Sequence, residues 1–456
     1  MTDTAMTAPA APVAPTTGFT RAGVEELSAR KGEPDWMRAF RLEAFDAYER
    51  MPLPARSEEE WRRTDVSKLG LEGYAPYSPN GGGVAALPES LRPGADASAR
   101  AGLLVQHNSE GAASELRDDL RAQGVVVCSL DEAVRAHPEL VRRYFMTEAI
   151  PITYNKFTAL HGAFWSGGAF IYVPKNVEVE LPVQGVLYAD APNLGVFGHT
   201  LIVAEEGARV TYVEEYSSDE GAGTGFASGV SELFVARGAQ VRYVTMQEFA
   251  PRTTTFSAQR AIVRRAANHN WLAVSVGGAF AKNNVETFLA EPGASAEMLG
   301  LFFGNEDQFV DYHTSQEHMA PNTTSDLLYK GVLSGRARSV FSGMIRVHEG
   351  AQKTDAYQTN RNLLLSDDAR ADSIPNLEIG ANDVRCSHGA TVAPLDEDEI
   401  FYLQSRGLQR PEATKIIVDG FFEPILIRIP LQSIQERLRD FIDHKTGQER
   451  FKGDLE

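Results

Sequence analysis

The chain repeats itself: E-G-A-R-V-T-Y-V begins at Glu206 and R-G-A-Q-V-R-Y-V at Arg237, an offset of 31 residues. Weaker echoes follow in E-P-G-A-S-A-E-M from Glu291, H-E-G-A-Q-K-T-D from His348 and D-D-A-R-A-D-S from Asp367. Each copy joins a small-residue corner to a short run with strand-like alternation. From near Phe157, and for more than two hundred residues, such runs follow one another between glycines, as in A-F-I-Y-V-P-K-N-V-E-V-E-L-P-V and S-E-L-F-V-A-R-G. A unit of one strand and one corner cannot bury its apolar face alone, so recurrence builds a stacked solenoid. A sandwich is the competing account of many short strands. A propeller would repeat over about 40 residues with Trp or Gly-His signatures, which are missing. A parallel β-helix tolerates the irregular spacings, and a mainly β chain with a parallel β-helix core is the expectation.

The flanks are different. A tail at 1–20 precedes a helical and mixed region at 21–150, the β-helix core at 151–393, and a C-terminal helical domain at 394–456. Trp36, Phe40, Phe45 and Tyr48 recur at helical spacing until Pro52 and Pro54 break the pattern. Gly70–Gly94 reads as loop; G-L-L-V-Q-H and G-V-V-V-C-S-L read as strands, with helices over Ala113–Gln123 and Leu130–Phe145. After Pro394, acidic residues Asp396 to Glu399 suit a helix start, and Arg406 with Gly407 suits its close. Pro411 opens the next helix. The last carries Ile434, Leu438, Phe441 and Ile442 as an apolar stripe. These helices either cap the solenoid or dock a partner.

Composition narrows the partners. A net charge of -18 and the absence of any Lys/Arg-rich run exclude nucleic acid as an expected ligand. The two cysteines, Cys128 and Cys386, are too far apart and too few for a disulfide framework, which fits a reducing compartment. The opening M-T-D-T-A-M-T-A-P-A-A-P-V-A-P-T-T-G has no early basic residue and no Leu-rich stretch, so it reads as a disordered tail, not a signal peptide. No run approaches the roughly 18 apolar residues of a membrane span. A soluble, cytoplasmic protein is expected.

Chemistry concentrates at A-N-D-V-R-C-S-H-G-A-T, Ala381 to Thr391. On a strand, Cys386 and His388 leave the same face, about 6.6 Å apart. Thiolate and imidazole form a soft metal-binding pair. Two ligands do not complete a tetrahedral site, so others must come from distant residues or another chain. The bland alternative is a packed thiol beside a histidine that satisfies hydrogen bonds. No phosphate loop, dinucleotide fingerprint, H-E-x-x-H, C-x-x-C or nucleophile elbow occurs. Asp311, His313 and His318 read as a structural polar ladder. Ser366–Asp368 followed by Ser387–Gly389 raises a β-helix polysaccharide hydrolase as an alternative, since sugar hydrolysis needs paired carboxylates.

The block from Asn362 to Thr391, continuing through L-D-E-D-E-I-F-Y-L-Q-S-R-G, resembles the SufB/SufD family of iron–sulfur cluster assembly scaffolds, most closely its SufD branch. The resemblance extends to K-F-T-A-L-H-G-A-F-W-S-G-G-A-F-I-Y-V-P-K and to E-W-R-R-T-D. It implies a right-handed parallel β-helix, a non-catalytic scaffold role in a SUF-type system, pairing with a SufB-like paralogue, and docking of a SufC-like ABC-type ATPase. In isolation a homodimer replaces the heterodimer. Cys386 and His388 fall where a transient iron–sulfur cluster is built between the paralogues, with no cofactor held permanently by this chain alone. Phe401, Ile416, Phe421, Phe422, Ile434 and Leu438 lie in the helices where the ATPase docks. A SufB-type scaffold is the alternative, though SufB chains usually carry more cysteines.

Overall fold

The computed structural model describes residues 18–67, 69–79, 82–92, 97–429 and 432–447, so the opening tail through residue 17 lies outside the described residues. Helices α1 (Arg21–Lys31) and α2 (Asp35–Arg50) lead to strands β1 (Gly102–His107) and β2 (Glu110–Leu116), helix α3 (Asp118–Ala122), strand β3 (Val126–Ser129) and helices α4 (Leu130–Ala136), α5 (Pro138–Tyr144) and α6 (Lys156–Phe164). Fifteen solenoid strands and one more before them follow without a long helix: β4 (Ala169–Val173), β5 (Val183–Ala189), β6 (Gly195–Ala204), β7 (Arg209–Ser218), β8 (Gly225–Val235), β9 (Gln240–Glu248), β10 (Thr253–Val263), β11 (Asn268–Ser275), β12 (Phe280–Leu289), β13 (Ser295–Gly304), β14 (Phe309–His318), β15 (Thr324–Leu333), β16 (Arg338–Val347), β17 (Asp355–Leu364), β18 (Arg370–Ile379) and β19 (Arg385–Pro394). Helices α7 (Glu397–Ser405), α8 (Arg410–Leu426) and α9 (Gln432–Gly447) close the chain.

From β4 on, the chain alternates between two sheets, one of ten strands running from β19 through the odd-numbered strands to β1 and β2, the other of nine running from β18 through the even-numbered strands to β4 and β3. Successive strands within each sheet are parallel, and residues stacked on neighbouring coils are 26 to 32 positions apart. The fold is a parallel β-solenoid. One end finishes in antiparallel pairs, β1 with β2 and β3 with β4.

The repeated corner has a physical cause. Asn176, Gly207, Gly238, Ala266, Gly293, Asn322 and Lys353 all have positive φ. Each backbone N–H donates to a carbonyl of the next coil's corner, from Asn176 to Glu206 O at 2.9 Å through to Lys353 to Asp383 O at 2.6 Å. A left-handed residue is needed at every turn of the ladder. Glycine and asparagine supply it at low strain, and Ala266 and Lys353 supply it at a cost.

Between the sheets, the aromatic rings of Tyr212 and Tyr243 stack at 5.7 Å, Tyr243 and Trp271 meet at 5.3 Å, and Tyr312 and Tyr329 at 5.1 Å. Gly300, paired in register with Tyr329, leaves room for that ring: a Cβ there would lie 2.2 Å from it. The outer face of the nine-stranded sheet is covered by the N-terminal region, where Val24, Phe45, Phe157 and Phe164 pack on Phe197, Phe226 and Phe256. Glu60-Trp61-Arg62-Arg63-Thr64-Asp65 fastens this cover: Trp61 lies over Phe157 at 5.6 Å and beneath the Lys282 ammonium at 4.6 Å, while Thr64 donates to Asp311. Asp311 also takes the Lys282 ammonium at 3.0 Å and faces the His313 imidazole at 3.1 Å. Burial alone would raise its pKa, but these partners together hold it below the usual carboxylate range. The outer face of the ten-stranded sheet is covered by α8 and α9.

Two local expectations change. Of the helix predicted over Ala113–Gln123, only Asp118–Ala122 is helical; its first residues belong to strand β2, because backbone pairing with β1 overrides the helix-forming Ala and Glu. The helix expected over Leu130–Phe145 is divided at His137, with Pro138 opening α5.

Candidate functional site

The other end of the solenoid is open. Strands β18 and β19 each pair with one neighbour in their sheets, β16 and β17 respectively, so a ten-residue backbone edge on each has no ladder partner among the described residues. Inner strands are mostly buried, whereas β19 is exposed along most of its length. Tyr357, Ile379 and Val392 stand exposed on these last coils. Such edges are normally covered or paired with another chain.

Cys386 and His388 sit on this last strand, in register with Ala356 and Gln358. Gln358 is buried and donates to carbonyls of Gly343 and Asn376 in the opposite sheet, so this register faces the interior of the solenoid. By strand alternation the thiol and the imidazole share that inward face at the point where no further coil among the described residues covers it. Cys386 is half-buried against a small cluster containing Ile345 and Ala356; His388 is exposed. Burial first, then the nearby Asp355 carboxylate, push the Cys386 thiol above its ordinary pKa, partly offset by the Ala356 N–H. At neutral pH it is a thiol, and an incoming cation would have to draw off its proton. Among the described residues no group of three or more His, Cys, Asp or Glu is placed to hold a metal ion. Cys128 is buried in β3, at the far end of the other sheet, its thiol pushed up to about 12 by burial and then by Glu132.

The C-terminal helices divide the predicted docking residues. Phe401 is 72% exposed and Ile416 47% exposed. Phe421 is half-buried and lies over the Lys330 ammonium at 4.8 Å, while its carbonyl accepts from that ammonium at 2.6 Å. Phe422 and Leu438 face inward: both are buried, with Val418, Ile425 and Ile442, against Leu272, Leu301 and Phe303 of the solenoid. Their apolar surface holds the helices to the sheet and is not free for a partner. The side chain of Ile434 lies outside the described residues. Tyr402 is exposed beside Phe401, and Ile427 at the end of α8; neither was singled out from sequence. The run Ile400-Phe401-Tyr402-Leu403 behind the acidic first turn of α7 was the available signal for Tyr402. The Arg410 guanidinium grips Glu397 with two bonds, at 2.8 and 2.6 Å, tying α7 to α8.

The remaining candidates lie elsewhere along the solenoid. His318 is buried between Thr323 and Ser325 hydroxyls, each at 2.8 Å, and its pKa falls to about 4 through burial. The Ser366 hydroxyl donates to Gly335 O at 2.7 Å in the corner before β18, where Asp367 and Asp368 are exposed. No helix among the described residues is long and apolar enough to cross a membrane.

The described residues thus form a long parallel β-solenoid with helices on both faces, one end finished by antiparallel pairs and the other ending at β18 and β19 with a thiol and an imidazole on its last strand. The SUF system FeS cluster assembly SufBD core domain matches residues 187–421, and the SufBD protein N-terminal region matches residues 25–185. An iron-sulfur cluster assembly SufBD family protein of Staphylococcus epidermidis (strain ATCC 12228) is 32% identical over 434 residues, covering 92% of each chain. One from Staphylococcus aureus (strain USA300) is 31% identical over the same length and coverage. The chain belongs to the SufBD family of iron–sulfur cluster assembly proteins.

Proposed function

We propose that this chain is a SufD-like, non-catalytic scaffold subunit that joins a SufB-like paralogue through the open end of its solenoid, and that a nascent iron–sulfur cluster is the cargo of that junction. The carrying observation is the pair Cys386 and His388 on one face of the terminal strand, at an end where no further coil among the described residues covers them. A facing strand with its own thiolate would supply the missing ligands and pair the bare edge. His388, exposed, is ready to bind; Cys386, half-buried with a raised pKa, is the auxiliary member. The S-H-G-A-T sequence favours the SufD branch. The same edge would serve a second copy of this chain in the paralogue's absence.

A SufC-like ATPase would dock on α7 and α8 through Phe401, Tyr402 and Ile416, the exposed apolar residues of that surface. The chain's own lack of a phosphate loop fits a partner that supplies nucleotide hydrolysis. The test is His388→Ala in the purified complex. Expression and pairing should be unchanged, with iron and sulfide recovered at well below the wild-type level. Wild-type cluster assembly by that variant would make the pair structural and refute the assignment.

A further inference from the structure

Between the two sheets, at the level of β9 to β12, lies a cavity of about 50 Å³. Its wall is largely apolar, interrupted by a few amide and hydroxyl groups. Three of its side chains present buried atoms with no hydrogen-bond partner among the described residues: Gln247 Nε2, Gln259 Oε1 and Asn283 Nδ2. Gln259 and Asn283 are 9% and 8% exposed as whole residues. Neither Gln247 nor Asn283 can simply turn away, because the other end of each amide is engaged. Gln247 Oε1 accepts from the Gly277 N–H at 3.3 Å, and Asn283 Oδ1 accepts from the Ser257 hydroxyl at 2.7 Å. The Tyr312 and Ser275 hydroxyls, 2.7 Å apart, complete the polar rim.

We infer that this cavity is a binding site for a small cluster of ordered water molecules that links the two sheets through these amides. Buried polar groups in folded proteins are almost always satisfied, and a polar cavity is where water does it. One water needs about 10 to 15 Å³ of such volume and two to four polar partners, so the site has room for about three to five. Two orphan donors and one orphan acceptor cannot be met by an apolar occupant. Water, which donates and accepts, meets both kinds. The assignment does not depend on the reading of Cys386 and His388.

A crystal structure of the wild-type full chain at high resolution tests it directly. Density for about three waters is expected, within hydrogen-bond distance of Gln247 Nε2, Gln259 Oε1 and Asn283 Nδ2. In solution, oxygen-17 relaxation dispersion should count about three fewer long-lived waters in Asn283→Leu than in wild type. Binding of xenon in a cavity free of water density would overturn the inference. So would direct pairing of the three amides with one another in the crystal, or an unchanged long-lived water count in a folded Asn283→Leu.

Discussion

Two phenylalanines in the C-terminal helices separate packing from docking. Phe422 is completely buried, its ring 6.5 Å from that of Phe303 on the solenoid. Phe422→Ala removes a ring that the surrounding Ile425, Leu426 and Ile429 cannot collapse to replace, so a loss of about 3–5 kcal/mol is expected. That is a large share of the roughly 5–15 kcal/mol that stabilises a domain. Phe401, 72% exposed, makes no comparable contact; Phe401→Ala should leave stability within about 0.5 kcal/mol of wild type. At a partner interface the order reverses, since an aromatic anchor is worth about 2 kcal/mol or more, a rise in Kd of about thirtyfold. Guanidinium unfolding followed by circular dichroism measures the first quantity, and titration calorimetry against a SufC-like ATPase the second. A Phe401→Ala chain that binds the ATPase with wild-type affinity would remove α7 from the docking surface. A Phe422→Ala chain with an unchanged unfolding midpoint would refute the packing account of α8.

Glycine substitutions should sort by cause: Gly238→Ala, with positive φ and nothing within 4 Å of the new Cβ, should cost only the left-handed penalty of about 1–2 kcal/mol. Gly300→Ala, whose Cβ would fall 2.2 Å from the buried Tyr329 ring, should cost more than that, and equal unfolding midpoints for the two would contradict the lumen packing described above. The pH dependence has a definite sign at His269, which burial lowers to about 4, partly offset by its bond to Val241 O at 3.1 Å. It is neutral in the fold and protonates in the unfolded chain below about pH 6.5, so its contribution is whole above that pH and is lost as the pH falls towards 4. The stability advantage of wild type over His269→Gln should therefore shrink by about 1.5 kcal/mol between pH 6.5 and 5, the slope approaching about 1.4 kcal/mol per pH unit; a constant difference in urea midpoints would show that His269 does not titrate this way.

How far the fold could be read from the chain differs by element. The corner at Glu206 and Arg237 was legible because a left-handed turn restricts residue choice locally, to Gly207 and Gly238, and the ladder repeats the restriction in every coil. The helix start at Asp396 was legible for the same local reason: its carboxylate accepts from the Asp398 N–H at 2.9 Å. Strand β2 was not, because E-G-A-A-S-E-L is held by backbone pairing with β1, which leaves no mark on side-chain type. Phe422 and Leu438 were legible as apolar helix positions but not as inward ones. An amphipathic stripe gives the period of a helix and not the identity of what covers it. That identity came from Leu272, Leu301 and Phe303, a hundred residues away or more.

The site shows the same division in sharper form. The spacing of Cys386 and His388 was enough to put thiol and imidazole on one face, since period two is a property of any strand. It could not say that the strand is the last of its sheet, and the proposed role of the pair rests on that position. The same C-x-H on an inner coil would sit where Gln358 does, buried and bonded to the opposite sheet, with no approach for a second chain. At the terminal coil the pair lies beside two edges with no ladder partner among the described residues, and Tyr357, Ile379 and Val392 are exposed on β17, β18 and β19. Water can satisfy the edge groups but cannot cover the apolar ones, and a facing chain that pairs β18 and β19 does both. On the proposed reading, the bond-forming capacity of the edge and the two-member ligand pair are met by the same thing, a second strand-bearing subunit across the open end.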